Sequence, residues 1–284
     1  MGTVDDYLRE WLATLQGVAP STTVSYRGHV ERHISPILGS HRVSELRPID
    51  VRRMIAQLSA SDLSPSTIRR IHSTLHAALE QGVRERTLTD NAAHGVALPK
   101  VERQLVEAMT PEDADAIREA VKGTFLEVLT ETLLGSGMRL GEALGLNQGD
   151  VHDGWVMVRR SKTHPRAIDV SADASEALRA HIAALKVRGP NEPVFYGPRT
   201  GERLRGTTVS HALPKILEAA GLTRLHPHLL RHGAATLMIA DGVHMKVVSA
   251  QLGHASVTTT DSFYSHIARR QTQDAVKSLN RKAR

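Results

Sequence analysis

At 284 residues the chain is too long for one small domain and fits two of ordinary size, and its 40% apolar content suffices for two packed cores. Cysteine is absent, which excludes disulfides, thiolate zinc sites and cysteine nucleophiles, and no run approaches the roughly 20 apolar residues of a membrane span. The net charge is +6, but residues 266–284 alone hold Arg269, Arg270, Lys277, Arg281, Lys282 and Arg284 against Asp274. Bulk charge is therefore a poor argument for a polyanionic partner, and the placement of individual arginines matters more. The opening "MGTVDDYLREWL" is amphipathic and acidic, unlike a secretory leader, so a cytoplasmic protein is the default.

Residues 1–98 read as an all-helical domain. "VDDYLREWLATL" sets Val4, Leu8, Trp11, Leu12 and Leu15 on one face at the helical period. "SELRPIDVRRMIAQL" offers Ser44 as a cap and a helix around 51–58. "SPSTIRRIHSTLHAALEQG" has Ser64 as a cap, Pro65 at the first helical position and Gly82 past the end. Its apolar stripe is Ile68, Ile71, Leu75 and Leu79; Arg69, Arg70, Ser73 and His76 form the other side, which a solvated face explains by itself. Residues 99–107 read as a linker, and Thr110-Pro111-Glu112-Asp113 as the capped start of a new helix.

From 108 to 284 the character changes. "FLEVLTETLLGSGMRLGEALGL" predicts a helix stopped at Gly135, a turn, and a second helix opening near Arg139. "WVMVRRSKTHPRAIDV" predicts two strands around a "KTHP" turn. Helices are expected again at 173–186, 207–220, 228–240, 244–252 and 258–270. The fold class is mainly α: a helical first domain, then a mixed α+β domain carrying a small antiparallel sheet.

Several stretches bear chemistry. In "HPHLLRHGAAT", His228 and His232 are four apart, as metal ligands on a helix would be, but no HExxH motif or cysteine completes a metal set. Alternatively, His228 and Arg231 share the start of a helix, where free N–H groups favour an anion such as phosphate. Arg139 sits between a glycine-rich turn and a helix start, and its guanidinium matches two phosphate oxygens; Glu142, three residues on, is placed to orient it. Lys162, with Arg159, Arg160 and Arg166 nearby, is either a solvated turn residue or a donor to phosphate or a leaving oxygen. No GxxxxGK[ST] occurs, which argues against nucleotide hydrolysis. In "LGHASVTTTDSFYSH", Gly253 ends one helix, Thr258 and Asp261 cap the next, and Tyr264 lies in its second turn. A phenol with a pKa near ~10 needs neighbouring cations to act as a nucleophile at neutral pH.

Taken in order, "SGMRLGEALGL", a lysine in a β-turn, "HLLRH", "LGH" and a tyrosine ten residues after the Gly-His pair resemble the tyrosine recombinases, or phage integrases. The resemblance covers nearly the whole chain, with the first domain similar to the family's SAM-like core-DNA-binding domain. It implies that Arg139 and Arg231 clamp the scissile phosphate, that His228 and His254 contact it, and that Lys162 protonates the departing 5′-hydroxyl. It also implies that Tyr264 forms a 3′-phosphotyrosyl bond, with neither metal nor ATP required. The implied partners are double-stranded attachment or core sites, a homotetramer on synapsed DNA, and an accessory or directionality factor, with no membrane. The implied setting is a bacterial host's nucleoid. Arg69, Arg70, Arg159 and Arg160 become expected DNA contacts. Residues of about 268–284 become a tail that docks on a neighbouring subunit through Ile267, Ala275, Val276 and Leu279, or that lies on DNA phosphates.

The sequence departs from the family pattern at Ser136, where threonine is usual, at Asn91-Ala92 in place of "NP", and at "HGAAT" in place of "HTFAT", which removes a bulky core side chain. Many integrases also carry an upstream arm-binding domain, whereas this sequence opens on the first helix. The expected role is integration and excision of a phage or other mobile element. A chromosome-dimer resolvase of Xer type and a transposon recombinase use the same chemistry, and a catalytically silent DNA-binding factor is the alternative of a different class.

Overall fold

The computed structural model describes residues 2–101, 109–159, 165–222 and 227–253. The chain divides into two units, Met1–Leu105 and Val106–Arg284.

In the first unit, α1 (Val4–Thr14) opens on a reciprocal cap. Thr3 Oγ1 accepts from the Asp6 N–H at 3.2 Å and the Asp6 carboxylate accepts from the Thr3 N–H at 3.0 Å. Val4, Leu8, Trp11 and Leu12 are buried, as the periodicity predicts. Then α2 (Pro20–His29) runs into α3 (Ser35–Leu38) through a π-turn at Val30–Ile34, just ahead of Pro36, which has no N–H to give to an α-type ladder. Ser44 does not cap the next helix. It lies in a separate 3-10 turn, and α4 (Pro48–Ser59) starts earlier than the apolar pattern suggested because Asp50 accepts from the Arg47 N–H at 3.2 Å.

The central helix α5 (Pro65–Arg84) starts on Ser64 and Pro65 and buries Ile68, Ile71, Leu75 and Leu79. Each such side chain contributes about 1.5–3 kcal/mol by leaving water. Gly82 does not stop this helix; it is a packing residue inside it. A Cβ there would stand 2.5 Å from Tyr7 Oη and 2.8 Å from Leu88 Cδ1. The helix ends two residues later at Arg84; Arg86 just beyond takes the left-handed conformation (φ 59°), and the Thr87 N–H returns to the Gly82 carbonyl at 2.9 Å. Asn91 then ties the following loop back to α5, donating to the His76 carbonyl at 3.1 Å and to Glu80 at 2.8 Å. That role belongs to the asparagine side chain, so Ala92 in place of the usual proline leaves it intact.

The second unit begins with α6 (Pro111–Val121), capped by Thr110 and Asp113 as predicted. Next, α7 (Glu127–Ser136) passes through Gly135 and stops at Gly137 (φ 67°). Gly135 is needed for close packing instead: a Cβ there would run into Ser171 and Ala174, and its carbonyl accepts from the Ser171 N–H at 2.9 Å. Ser136 is fully buried, donating to the Thr132 carbonyl and accepting from the Met138 N–H at 3.2 Å. A hydroxyl is what the position requires, which serine meets as threonine would. After α8 (Leu140–Leu144) come β1 (Val151–His152), β2 (Trp155–Val158) and β3 (Arg166–Asp169) in an antiparallel meander. β2 and β3 pair from Trp155–Asp169 to Val158–Arg166. The two-residue β1 was too short to show in the sequence pattern.

The described part of the unit continues through α9 (Ala172–Ala184), α10 (Gly206–Ala219), α11 (Pro227–Ala240) and α12 (Met245–Leu252); the helix expected at 258–270 and the tail of about 268–284 lie outside the described residues. At "HGAAT", Met109, 3% exposed, lies so close over Gly233 that any Cβ there would collide with its thioether, while Ala234, which stands where phenylalanine is usual, is buried. No described helix is long and apolar enough to cross a membrane.

Helix propensity alone makes Gly→Ala inside a helix favourable by about 0.5–1 kcal/mol. Gly82→Ala should nevertheless destabilise the protein, by about 1–2 kcal/mol, because overpacking costs more than propensity returns. Urea unfolding monitored by circular dichroism measures this; an unchanged or raised midpoint would refute the packing role.

Candidate active site

The turn between α7 and α8 sets the first candidate side chain. The left-handed Gly137 reverses the chain, Met138 is fully buried, and Arg139 emerges as the residue that precedes α8. Glu142 closes this turn. Its Oε2 accepts from the Arg139 N–H at 3.0 Å and its Oε1 from Arg139 Nη1 at 3.0 Å. The orienting contact predicted between the two residues is present, and the carboxylate is only 4% exposed.

Arg231 comes from the second turn of α11, three residues beyond His228, which lies in the first turn. Its Nη1 donates to the Gly137 carbonyl at 2.8 Å and its Nη2 to the Leu252 carbonyl at 2.6 Å. Arg139 Nη2 reaches the neighbouring Gly253 carbonyl at 3.2 Å. Two arginines 92 positions apart in sequence (139 and 231) thus meet at the C-terminus of α12. The last carbonyls of a helix lack intrahelical donors and carry partial negative charge, which guanidinium groups satisfy. As expected, Gly253 ends α12 in the left-handed conformation (φ 64°).

Two further residues hold this arrangement that sequence reasoning did not assign. Arg166, at the start of β3, donates to both Glu142 oxygens at 3.0 and 3.1 Å and to the Leu252 carbonyl at 3.2 Å. Gln251 donates to the Ser136 carbonyl at 3.1 Å and to the Asp169 carbonyl at 2.6 Å, joining α12 to both the turn and the sheet. A signal for Arg166 existed: the alternation of β3 puts it on the same face as the buried Ile168, an odd place for a charge without a partner. Among the described residues, three guanidinium groups gather here with one carboxylate, which two of them contact, and the excess of positive charge suits a phosphate.

The other expected contacts fare differently. Arg69 is exposed and donates to the Pro99 carbonyl at 3.3 Å, while Arg70 is exposed beside His29, Arg32 and His33. Burial, then the nearby His33, Arg70 and Arg32, hold His29 below the ordinary imidazole range, so His29 itself adds no charge to this face at neutral pH. Arg159 is ion-paired with the buried Asp150. Arg160, Lys162, His254 and Tyr264 lie outside the described residues. Among the described residues, no group of three or more His, Cys, Asp or Glu side chains is arranged to hold a metal ion.

Comparison with known proteins identifies the family. Residues 3–59 match the SAM-like N-terminal domain of phage integrases and residues 99–271 match the phage integrase family. A curated relative, tyrosine recombinase XerC of Pseudomonas fluorescens (strain Pf0-1), is 28% identical over 271 residues, covering 91% of this chain and 89% of its own. In fold the chain resembles lambda integrase, solved as a tetramer bound to a Holliday junction (TM-score 0.76, 22% identity, 91% of this chain and 79% of that one). It also resembles the Tn1549 transposon integrase in complex with circular intermediate DNA (TM-score 0.77, 18% identity, 93% and 95%). With the family matched over well more than half of its length, the chain belongs to the phage integrase family of tyrosine recombinases, enzymes that cleave and rejoin DNA.

Proposed function

We propose that this recombinase integrates and excises a phage or other mobile element, working in the bacterial cytoplasm on double-stranded attachment sites. The observation that carries its chemistry is the convergence of Arg139 and Arg231 on the Leu252–Gly253 carbonyls. These two guanidinium groups clamp the scissile phosphate and offset the charge that grows on its oxygens as the phosphorus becomes five-coordinate. Tyr264 Oη attacks phosphorus, the P–O5′ bond breaks, and a 3′-phosphotyrosyl bond forms. His228 assists proton transfer at the phenol, His254 adds a phosphate contact, and Lys162 gives its proton to the leaving 5′-oxygen. A 5′-hydroxyl from the partner strand then attacks the phosphotyrosine and releases Tyr264. The number of phosphodiester bonds is unchanged, so no nucleotide is consumed. His228 and His232 are not needed as metal ligands in this scheme.

Exchange between two duplexes calls for a homotetramer, an assembly that lambda integrase forms on a Holliday junction. The tail of about 268–284 docks between subunits, and Arg70 and Arg160 meet DNA phosphates. A chromosome-dimer resolvase is the second reading, favoured by the match to XerC over about nine-tenths of both chains.

A nicked duplex carrying the attachment sequence that flanks the gene separates these possibilities. Wild type should form an SDS-resistant adduct on it, Tyr264→Phe should bind equally well and form none, and Arg139→Lys should lose about 10²–10³-fold in cleavage rate, because a point charge does not replace the fork. Tight binding with no wild-type adduct would leave only the silent DNA-binding factor. Adduct on a chromosomal resolution site, with none on flanking attachment DNA, would favour the second reading.

Arg70→Ala should weaken binding alike on all sequences and lower the slope of log K against log salt by about 1, as expected for one lost phosphate contact. An unchanged slope in a salt titration would remove Arg70 from the interface.

A further inference from the structure

We infer that Arg166 is a positioning residue of the active site, setting the distance between the two phosphate-clamping arginines. The inference rests on the clamp assigned above to Arg139 and Arg231. Among the described residues, the Glu142 carboxylate receives four donors: the Arg139 N–H and Nη1, and Arg166 Nη1 and Nη2. The Leu252 carbonyl receives two: Arg231 Nη2 at 2.6 Å and Arg166 Nη2 at 3.2 Å. Arg166 is therefore the one described side chain that touches both supports, the carboxylate behind Arg139 and the carbonyl behind Arg231. Its own side chain is 17% exposed against 31% for Arg139, so it is the inner brace and Arg139 the outer arm.

The chemistry explains why a third guanidinium is useful here. A buried carboxylate facing a single arginine would hold that arginine tightly and compete with phosphate for it. Sharing the carboxylate with Arg166 divides its pull, so Arg139 stays oriented without being captured. The planar fork also fixes direction: one edge of Arg166 spans both Glu142 oxygens, and the same Nη2 turns to Leu252. The close approach of Gly253 completes the seat, since a Cβ there would stand 2.6 Å from Arg166 Cζ and Nε.

The test uses the full chain on nicked attachment DNA, with enzyme in excess so that a single turnover of adduct formation is read. DNA affinity is measured by gel shift and folding by thermal melting. Arg166→Met should slow cleavage about 10–100-fold, the scale expected when catalytic groups are misplaced by about an ångström, while affinity stays within about threefold of wild type. Arg166→Lys keeps the charge without the fork and should fall between the two; it is the variant read if Arg166→Met does not fold. Combined with Glu142→Gln, either substitution should cost no more than the worse single change, because both act on the same carboxylate. Wild-type cleavage by Arg166→Lys and Arg166→Met, or losses that multiply in the double variant, would overturn the positioning role. Arg139→Ala in the same assay keeps the two ideas apart. If it cleaves normally, the clamp itself is wrong; if it is inactive while the Arg166 variants are normal, only the brace is.

Discussion

The catalytic unit is organised around a carboxylate that water barely reaches. Burying an ion costs several kcal/mol, and a buried pair seldom returns more stability than well-packed apolar side chains would. Glu142 is therefore better understood as a device for orientation. It fastens the start of α8 through one backbone N–H, the outer guanidinium of Arg139 through another oxygen, and the first residue of β3 through both. Helix, turn and sheet are locked at one point, and whatever binds there meets side chains whose directions are already fixed. Preorganisation of this kind spares the reaction the reorganisation that solvent would demand.

The second anchor is the C-terminal end of α12. Helix C-termini need donors, and here the donors are the arginines proposed to act on DNA. The same groups that cap the helix in this structure are drawn toward phosphate in the proposed complex. Gln251 holds the helix end to the Ser136 turn and to β3 independently of the arginines. The seat persists when a guanidinium turns outward, because an amide that has no affinity for phosphate keeps it in place.

Much of this was legible in the chain. Local signals named the starts of α5 and α6, because a cap and its partner lie within three residues of each other. They named Arg139 with Glu142 and the Gly253 stop for the same reason. What stayed hidden depends on contacts between distant segments. Gly82 and Gly135 read as helix ends, yet each is glycine because another element presses against it: Tyr7 and Leu88 in one case, Ser171 and Ala174 in the other. Arg166 looked like one more basic residue of a hairpin, since its partners are 24 and 86 positions away. Periodicity reports which face is inside, but not which neighbour will be found there.

The packing of Met109 on Gly233 has a chemical consequence of its own. A cysteine-free chain is usually regarded as indifferent to oxidants, yet a thioether wedged against a helix backbone is not. Conversion of Met109 to its sulfoxide would add a polar oxygen where no space remains, and the helix that must yield is the one that carries Arg231. Peroxide would then reach the recombination chemistry through a residue that never meets DNA.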